Sequence, residues 1–496
     1  MQQISPTRFQ IEEKVKLPII FNLSESLMPA EDALEQLRGL ANTDSVFHHV
    51  AVLSDVHTKK GRKCPTGVAV AANKILPQIM DTAPNCGMRM FSTSLSASDL
   101  SKEDIDRVFK ELVKEVPTET FFGAPIDFQT VYDICRLGSK GLVQRMGKKY
   151  DFLSNEAENT FEGGNEFRED EIPSEREIES VIPKVFLKMA QYRLGVLGMA
   201  GNHFLDLMKV DEIRDEKKAA AMGLKKDQLV FFMHTGSGIL GQYASYFYTP
   251  KTEEHFLTKV LVNLGRMTIR KDFLTSQDIK QIQRDSLEFR KKPEFYQIDP
   301  ESKLGKAYYL AHRAAGNFGY ANRAILSAKI KRTVEKELAE KIDWNLIYDM
   351  GHIGVRRENH FGEEVWVHRN GVSRANGPIK MRNHPIFSQT GEPCFFAGSM
   401  TTPSYLAVGT NENDITFFSA SHGAGKTKNV PGEINKKQLM EKVSSQGVGL
   451  YNAKSSGVVK QYSDFYKDIN EAMAGIEANK IATAVAKLSP LAVLMA

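Results

Sequence analysis

Several things are missing from this chain, and each absence narrows what it can be. No stretch approaches the ~20 consecutive apolar residues that a membrane-spanning helix needs. The N-terminal MQQISPTRFQIEEKVK places charges where a secretory leader would need an apolar core. A soluble, unprocessed, cytoplasmic protein is therefore expected. Cysteine is scarce, with four residues at positions 64, 86, 135 and 394 and no C-x-x-C pair. That is a poor disulfide framework, and it suits a reducing compartment. Repeats of fixed period are absent. So is a strong charge imbalance: 65 Lys and Arg against 61 Asp and Glu leave +4, which tolerates a nucleic-acid partner without requiring one.

What is present is enough apolar material, 42% of 496 residues, to bury a large core. Up to about residue 135, short apolar runs such as VFHHVAVLSDV and GVAVAANKIL alternate with turn residues, as in a layered α/β arrangement. Residues 138–182 are polar and charge-rich, and they read as a surface insertion or a lid. Segments 303–341 and 463–488 carry apolar residues at helical spacing and predict helices. Between them lie the short β-rich runs EEVWVHRNGVS, EPCFFAGSM and SYLAVGT.

Reactive side chains recur where apolar runs meet glycine turns: His203 in MAGNHFLD, His234 in FFMHTGSG, His352 in IYDMGHIGV, and Cys86 in APNCGMRM. Projection from strand ends, with room left by the glycines, is how a preorganised metal shell is built. A single histidine at a strand end is more often a hydrogen-bonded structural residue, so each position alone is weak. Cys with His by itself favours zinc, with iron, manganese or cobalt as alternatives. Asp55 and His57 alternate in LSDVH and so share a strand face. They either orient one another near a site or satisfy a turn. The run SASHGAGKT supplies the second half of a phosphate-binding P-loop, Gly425, Lys426 and Thr427, but Ala420 stands at its first glycine and His422 inside it.

Taken in order, SDVH, NCGMR, LGMAGNHF, MHTGSGILG, YDMGH, VHRNGVSR, GSM and SHGAG resemble the motifs of the RtcB-type RNA ligases. These are the GTP-dependent, tRNA-splicing class, and the resemblance runs from about Asp55 to the C-terminal AVAKLSPLAV. It implies one large α+β domain over 1–496, with packed sheets and flanking helices around a central cleft. It also implies the joining of an RNA 3′-phosphate or 2′,3′-cyclic phosphate to a 5′-hydroxyl, with GTP and two manganese ions. His422 would carry GMP on its ring nitrogen, a case of nucleophilic catalysis that needs no P-loop. Gly423, Ala424 and Gly425 would let backbone amides approach the nucleotide. Cys86, His203, His234 and His352 match the metal ligands, with Cys86 bridging both ions. Asn202, Ser399, Met400 and Ser404 match GTP contacts, and Asp206 stands where the family usually grips guanine with a glutamate. An accessory activating protein is a further partner consistent with the resemblance.

The chain also departs from the pattern. Ala83 replaces the aspartate of D-x-x-C, and Asp81, two residues earlier, is a substitute ligand for the second ion. Gly238 replaces a phosphate-binding arginine, Ile353 an asparagine, and Met495 a guanine-contacting lysine. Lys59, Lys60, Arg62 and Lys63 add positive charge beside SDVH. A metal-dependent cyclic phosphodiesterase, a 3′-end guanylyltransferase and a non-catalytic RNA-binding relative are the competing expectations.

Overall fold

Runs that are apolar without helical spacing become strands buried on both faces. The computed structural model of the protein describes residues 1–59, 61–80, 84–118, 126–198, 201–251, 256–427, 432, 434–452 and 456–496. Its strands are β1 (Gln2–Ser5), β2 (Arg8–Ile11), β3 (Ile19–Phe21), β4 (Val46–His57), β5 (Thr66–Ala72), β6 (Gly87–Ser96), β7 (Phe204–Ile213), β8 (Gln228–Thr235), β9 (Trp344–Gly351), β10 (Ile353–His360), β11 (Glu363–Asn370), β12 (Val372–Arg374), β13 (Pro393–Phe396), β14 (Ser404–Gly409), β15 (Ser419–Ser421), β16 (Gly449–Tyr451) and β17 (Ala482–Met495). One sheet has the order β1-β2-β3-β4-β5-β11-β10, and a second β13-β14-β17-β7-β8-β6-β9 with β16 beside β17. The short pair β12-β15 carries the chain into His422. Pairing is antiparallel apart from β3–β4 and β16–β17, which makes the architecture α+β, as expected.

Every residue of β5, TGVAVAA, is buried. Its continuous apolar run reflects cover on both faces, where a half-solvated strand would alternate. The helix Lys303–Leu338 is the longest element, 36 residues and so about 54 Å. Ser302 caps it by accepting the Gly305 N–H. From Ala311 to Ile330 it is buried all round, and its Ala- and Gly-rich sequence lets the helix Phe128–Met146, the helix Gly238–Tyr248 and β8 come close.

Two expectations fail. Segment 463–488 is helical only over Ile469–Ala478. Lys480 then takes a left-handed φ of 57°, and the rest enters β17, between β14 and β7. Ala, Val and Leu are neutral enough in propensity for sheet burial to override helical spacing, and Pro490 sits at a register shift, where a missing N–H is tolerated. Segment 138–182 is neither a surface excursion nor a lid. Tyr150, Leu153, Phe161, Phe167, Ile178, Val181 and Ile182 are buried. Four of its carboxylates pair inward, Glu156 with Arg89, Glu162 with Arg374, Glu166 with Arg356 and Glu171 with Arg313, while Lys148, Asp151, Glu158, Arg168, Glu169, Asp170 and Arg176 face solvent. The charge-rich composition covers both paired and solvated groups.

The Arg89 guanidinium is fully buried and donates to Glu156 Oε1 at 2.7 Å and Asp349 Oδ2 at 2.9 Å. Removing one partner of such a pair strands a charge. Glu156→Ala is therefore expected to cost about 3–5 kcal/mol, read as a lowered denaturant midpoint. An unchanged midpoint would show that the segment does not belong to the core.

Candidate metal and nucleotide site

Strand register gathers the reactive residues at one end of the second sheet. On β6, Gly87 pairs with Thr235 of β8 and with Gly351 of β9, while Phe204 of β7 pairs with His234. Cys86 immediately precedes β6, His203 immediately precedes β7, His234 lies near the end of β8, and His352 sits between β9 and β10. Four segments far apart in sequence thus end at one edge. Residues 193–198, the described part of the apolar run before His203, are not a strand, and the histidine opens β7 rather than closing a strand.

The geometry fits a metal. Ligand atoms of Cys86, His234 and His352 lie within 4.8 Å of one another. Cys86 Sγ is 3.2 Å from His234 Nε2 and 3.5 Å from His203 Nε2, and His234 Nε2 is 3.2 Å from His352 Nε2. Donors sharing one ion at bond lengths of about 2.1 Å for nitrogen and 2.3 Å for sulfur stand roughly 3.1–3.6 Å apart. His203 Nδ1 lies 2.7 Å from the Leu197 carbonyl, and His234 Nδ1 lies 3.0 Å from that of Asn202. A carbonyl only accepts, so Nδ1 carries the proton in both rings and Nε2 presents its lone pair to the cluster. Burial draws His203 down to about 4. It also takes His234 and His352 well below the usual imidazole value, with neighbouring histidines adding to the effect. All three rings are thereby kept neutral and able to ligate. Asp81 and Ala83 lie outside the described residues.

His422 follows β15 and packs edge-on against His352, with ring centroids 4.2 Å apart. Its Nδ1 is 2.7 Å from the Gly371 carbonyl and 3.1 Å from Asp55 Oδ2. Nδ1 therefore holds the proton, and Nε2 carries the ring's lone pair. Asp55 is buried; burial alone would raise its carboxyl, but His422, followed by His57 and Lys59, holds it at about 2. Two glycines make this packing possible. A Cβ on Gly371 (φ +71°) would stand 2.5 Å from Asp55 Oδ2, and one on Gly425 (φ +82°) 2.7 Å from Asp55 Cα. The sequence left Asp55 between two roles; its partner proves to be His422 as well as His57. The Gly371 carbonyl was not foreseen, and its only sequence signal was the motif VHRNGVSR.

Two cavities flank His422. The first, about 630 Å³, is lined by Asn202, Asp206, Ser399, Met400, Gly423, Ala424, Gly425, Lys426 and Met495 among others. Asp206 is buried, its Oδ1 has no hydrogen-bond partner among the described residues, and burial raises its carboxyl well above the ordinary value. Lys426, read in the sequence only as part of a half P-loop, is drawn down to about 7 by burial against the pull of Asp55, and its side-chain nitrogen lies over the Tyr466 ring at 3.7 Å. Ser404 does not line the cavity; its hydroxyl accepts the Gly398 N–H at 3.0 Å and shapes the loop instead. The second cavity, about 430 Å³, is lined by Cys86, His203, His352, Ile353, Gly238, Arg193 and Lys59. Asn202, Lys59 and His422 line both. Around Gly238 a Cβ would meet nothing within 4 Å.

Fold and site together define an α+β protein with a Cys/His cluster at a sheet edge and a carboxylate-held histidine between two cavities. A family model described as tRNA-splicing ligase RtcB matches residues 36–496, and the chain belongs to that family. It is 27% identical to the tRNA-splicing ligase RtcB of Methanococcus maripaludis, over 94% of this chain and 91% of that one. The protein of the same name from Archaeoglobus fulgidus is also 27% identical, over 97% and 94%. The RNA-splicing ligase RtcB homolog 1 of Entamoeba dispar is 26% identical, over 83% and 71%.

The unpartnered carboxyl of Asp206 gives a test with a defined sign. Its folded-state pKa is raised, so the native state retains a proton that the unfolded chain loses above about pH 4, and stability falls as pH rises from there. Asp206→Asn is expected to melt above the wild type at pH 7–8, with the difference vanishing towards pH 4, while nucleotide binding weakens. Melting curves offset equally at both pH values would remove the case for a neutral carboxyl.

Proposed function

We propose that the protein is a GTP-dependent RNA ligase that joins an RNA 3′-phosphate or 2′,3′-cyclic phosphate end to a 5′-hydroxyl through a histidine–GMP intermediate on His422. The observation that carries this reading is the position of His422, on the shared wall of the two cavities and against the metal-ligand cluster. A side chain that must take a nucleotide from one substrate and hand it to another needs access to both.

In the first step the Nε2 lone pair attacks the α-phosphorus of GTP, the N–P bond forms and pyrophosphate leaves. Asp55 and the Gly371 carbonyl hold Nδ1–H, fixing the ring and stabilising the positive charge it gains. Lys426 stands in the first cavity, placed for the distal phosphates, and Gly423–Gly425 keep the backbone low enough for amides to reach them. Met88, Phe204, Val493 and Met495 offer apolar cover for a base, with Asp206 as the buried polar group beneath it. In the second step an oxygen of the RNA 3′-phosphate attacks the same phosphorus, breaking the N–P bond and restoring His422. The 5′-hydroxyl then attacks the activated 3′-phosphate, forming the phosphodiester and releasing GMP. Manganese held by Cys86, His203, His234 and His352 would supply electrophilic polarisation of phosphate oxygens when bound. Arg193 and Lys59 place positive charge in the second cavity, where RNA phosphates would lie. Four buried cysteines, none in a disulfide, support a cytoplasmic setting.

One observation favours a second reading. The open space at Gly238, where the resemblance sets an arginine, supports a reduced enzyme that guanylylates RNA 3′ ends or opens cyclic phosphates without sealing them. Incubation with α-labelled GTP and manganese is expected to give acid-labile labelled protein, with labelling lost at least 1,000-fold in His422→Ala. Absence of label with any divalent metal would defeat the ligase and guanylyltransferase readings, and GTP-independent opening of a cyclic-phosphate RNA would then leave the phosphodiesterase. Capped but unjoined RNA would select the second.

A further inference from the structure

The ligand-bearing segments share a support that lies outside the cluster. Arg323, on the helix Lys303–Leu338, is fully buried. Its Nη1 donates to the Asn85 carbonyl at 3.1 Å and the Thr235 carbonyl at 3.0 Å. Its Nη2 donates to Asn85 Oδ1 at 2.9 Å, and its Nε to Asp349 Oδ1 at 2.7 Å. Asn85 precedes Cys86, Thr235 follows His234, and Asp349 lies three residues before His352. One planar group therefore spans the ends of three strands, each carrying a ligand.

Asn85 is also unusual. It takes a left-handed φ of 52°, a conformation that Asn tolerates better than most residues. Its Nδ2 donates to the Gly316 carbonyl of the same helix at 2.7 Å, and its N–H donates to the Ile353 carbonyl at 2.9 Å. The Cys86 carbonyl accepts the His352 N–H at 2.9 Å. The turn that aims the thiol is thus tied on one side to the guanidinium and on the other to the His352 segment.

We propose that Arg323 is a positioning residue for the metal cluster: by fixing Asn85, Thr235 and Asp349 against one another it sets the spacing of Cys86, His234 and His352, and hence how tightly they hold a divalent cation. This rests on the reading of those side chains as ligands. A rigid five-donor fork can satisfy four acceptors in fixed directions, whereas a lysine ammonium brings three donors from a single point. Lysine at 323 keeps the charge and loses the spacing.

Cobalt(II) titration of the purified full chain separates the two claims, because thiolate-to-cobalt absorption reports Cys86 ligation without any turnover. The wild type is expected to show the band and Cys86→Ser to lack it. Arg323→Lys is expected to bind cobalt roughly 10- to 100-fold more weakly, with altered visible bands. Asn85→Gly preserves the left-handed turn while removing the side-chain bonds to Arg323 and Gly316, so it tests the same link with the buried charge retained, and a several-fold loss of cobalt affinity is expected. The core truncation Leu142→Ala, in the helix Phe128–Met146, should lower the melting temperature and leave cobalt affinity unchanged. If Arg323→Lys and Asn85→Gly both bind cobalt within twofold of the wild type, the proposal is overturned while the cluster stands. Leu142→Ala losing affinity as steeply would overturn it too, since general destabilisation would then suffice. A wild-type chain without the band would overturn the cluster reading and the proposal together.

Discussion

The Cys/His cluster depends on one backbone constraint, the register in which β7, β8, β6 and β9 pair. Because Gly87 faces both Thr235 and Gly351, and Phe204 faces His234, the ends carrying Cys86, His203, His234 and His352 fall at one edge. A slip of one residue in any pairing would turn a strand's side chains to the other face and take a ligand out of the cluster. The surrounding burial is the cost of that arrangement. Three histidines are held neutral, and Cys86 lies 8% exposed among them. Cys86 Sγ and the Nε2 atoms of His203, His234 and His352 converge with neighbours at 3.2–3.5 Å, a spacing that a shared cation would satisfy.

The same edge explains why His422 needs its own anchor. It arrives from the small pair β12–β15 and not from the ligand-bearing sheet, so strand register alone does not place it. Asp55 at the end of β4 and the Gly371 carbonyl between β11 and β12 fix its Nδ1 side, which leaves only the far nitrogen for chemistry. Both sheets and the linking pair therefore converge on one imidazole. Arg323 plays the corresponding part on the ligand side, reaching from the long helix to three strand ends.

Much of the site was legible before the fold, and the reason is local. His203, His234, His352, Cys86 and His422 each sit beside small residues at the end of an apolar run, a pattern that survives in one dimension. What sequence missed was support supplied from elsewhere. Arg323 lies in an Ala- and Gly-rich helical stretch and looks like any helical arginine, and its partners are 26 to 238 residues away. Lys426 stood in plain view, but as half of a P-loop that the fold does not build. Fold errors had a similar origin. Four carboxylates of 138–182 were read with the solvated charges around them because their partners, Arg89, Arg313, Arg356 and Arg374, are distant in sequence, and β17 was read as helix because only its neighbours β14 and β7 decide otherwise. Ser404 shows the converse: a residue that matched a contact motif and turned out to brace the loop.

The departures from the family pattern are not spread evenly over this architecture. Gly238 and Ile353 line the second cavity, and Met495 lines the first beside Asp206. None replaces His422, Asp55, Arg323 or a described metal ligand. Among the described residues these departures line the two cavities, while the departure at Ala83, three residues before Cys86, lies outside the described residues. On the proposed reading, Met495 leaves the buried carboxyl of Asp206 as the polar group beside the apolar cover for a base in the first cavity. In the second, Arg193 and Lys59 are the arginine and lysine side chains that line the cavity with Gly238. A long-range charge contributes to affinity for phosphate almost wherever it sits, whereas a reacting end must be held to within ~0.5 Å. Loading of His422 would then draw on Asp55, the Gly371 carbonyl and Lys426, while joining would draw on a cavity that has glycine where the resemblance sets an arginine.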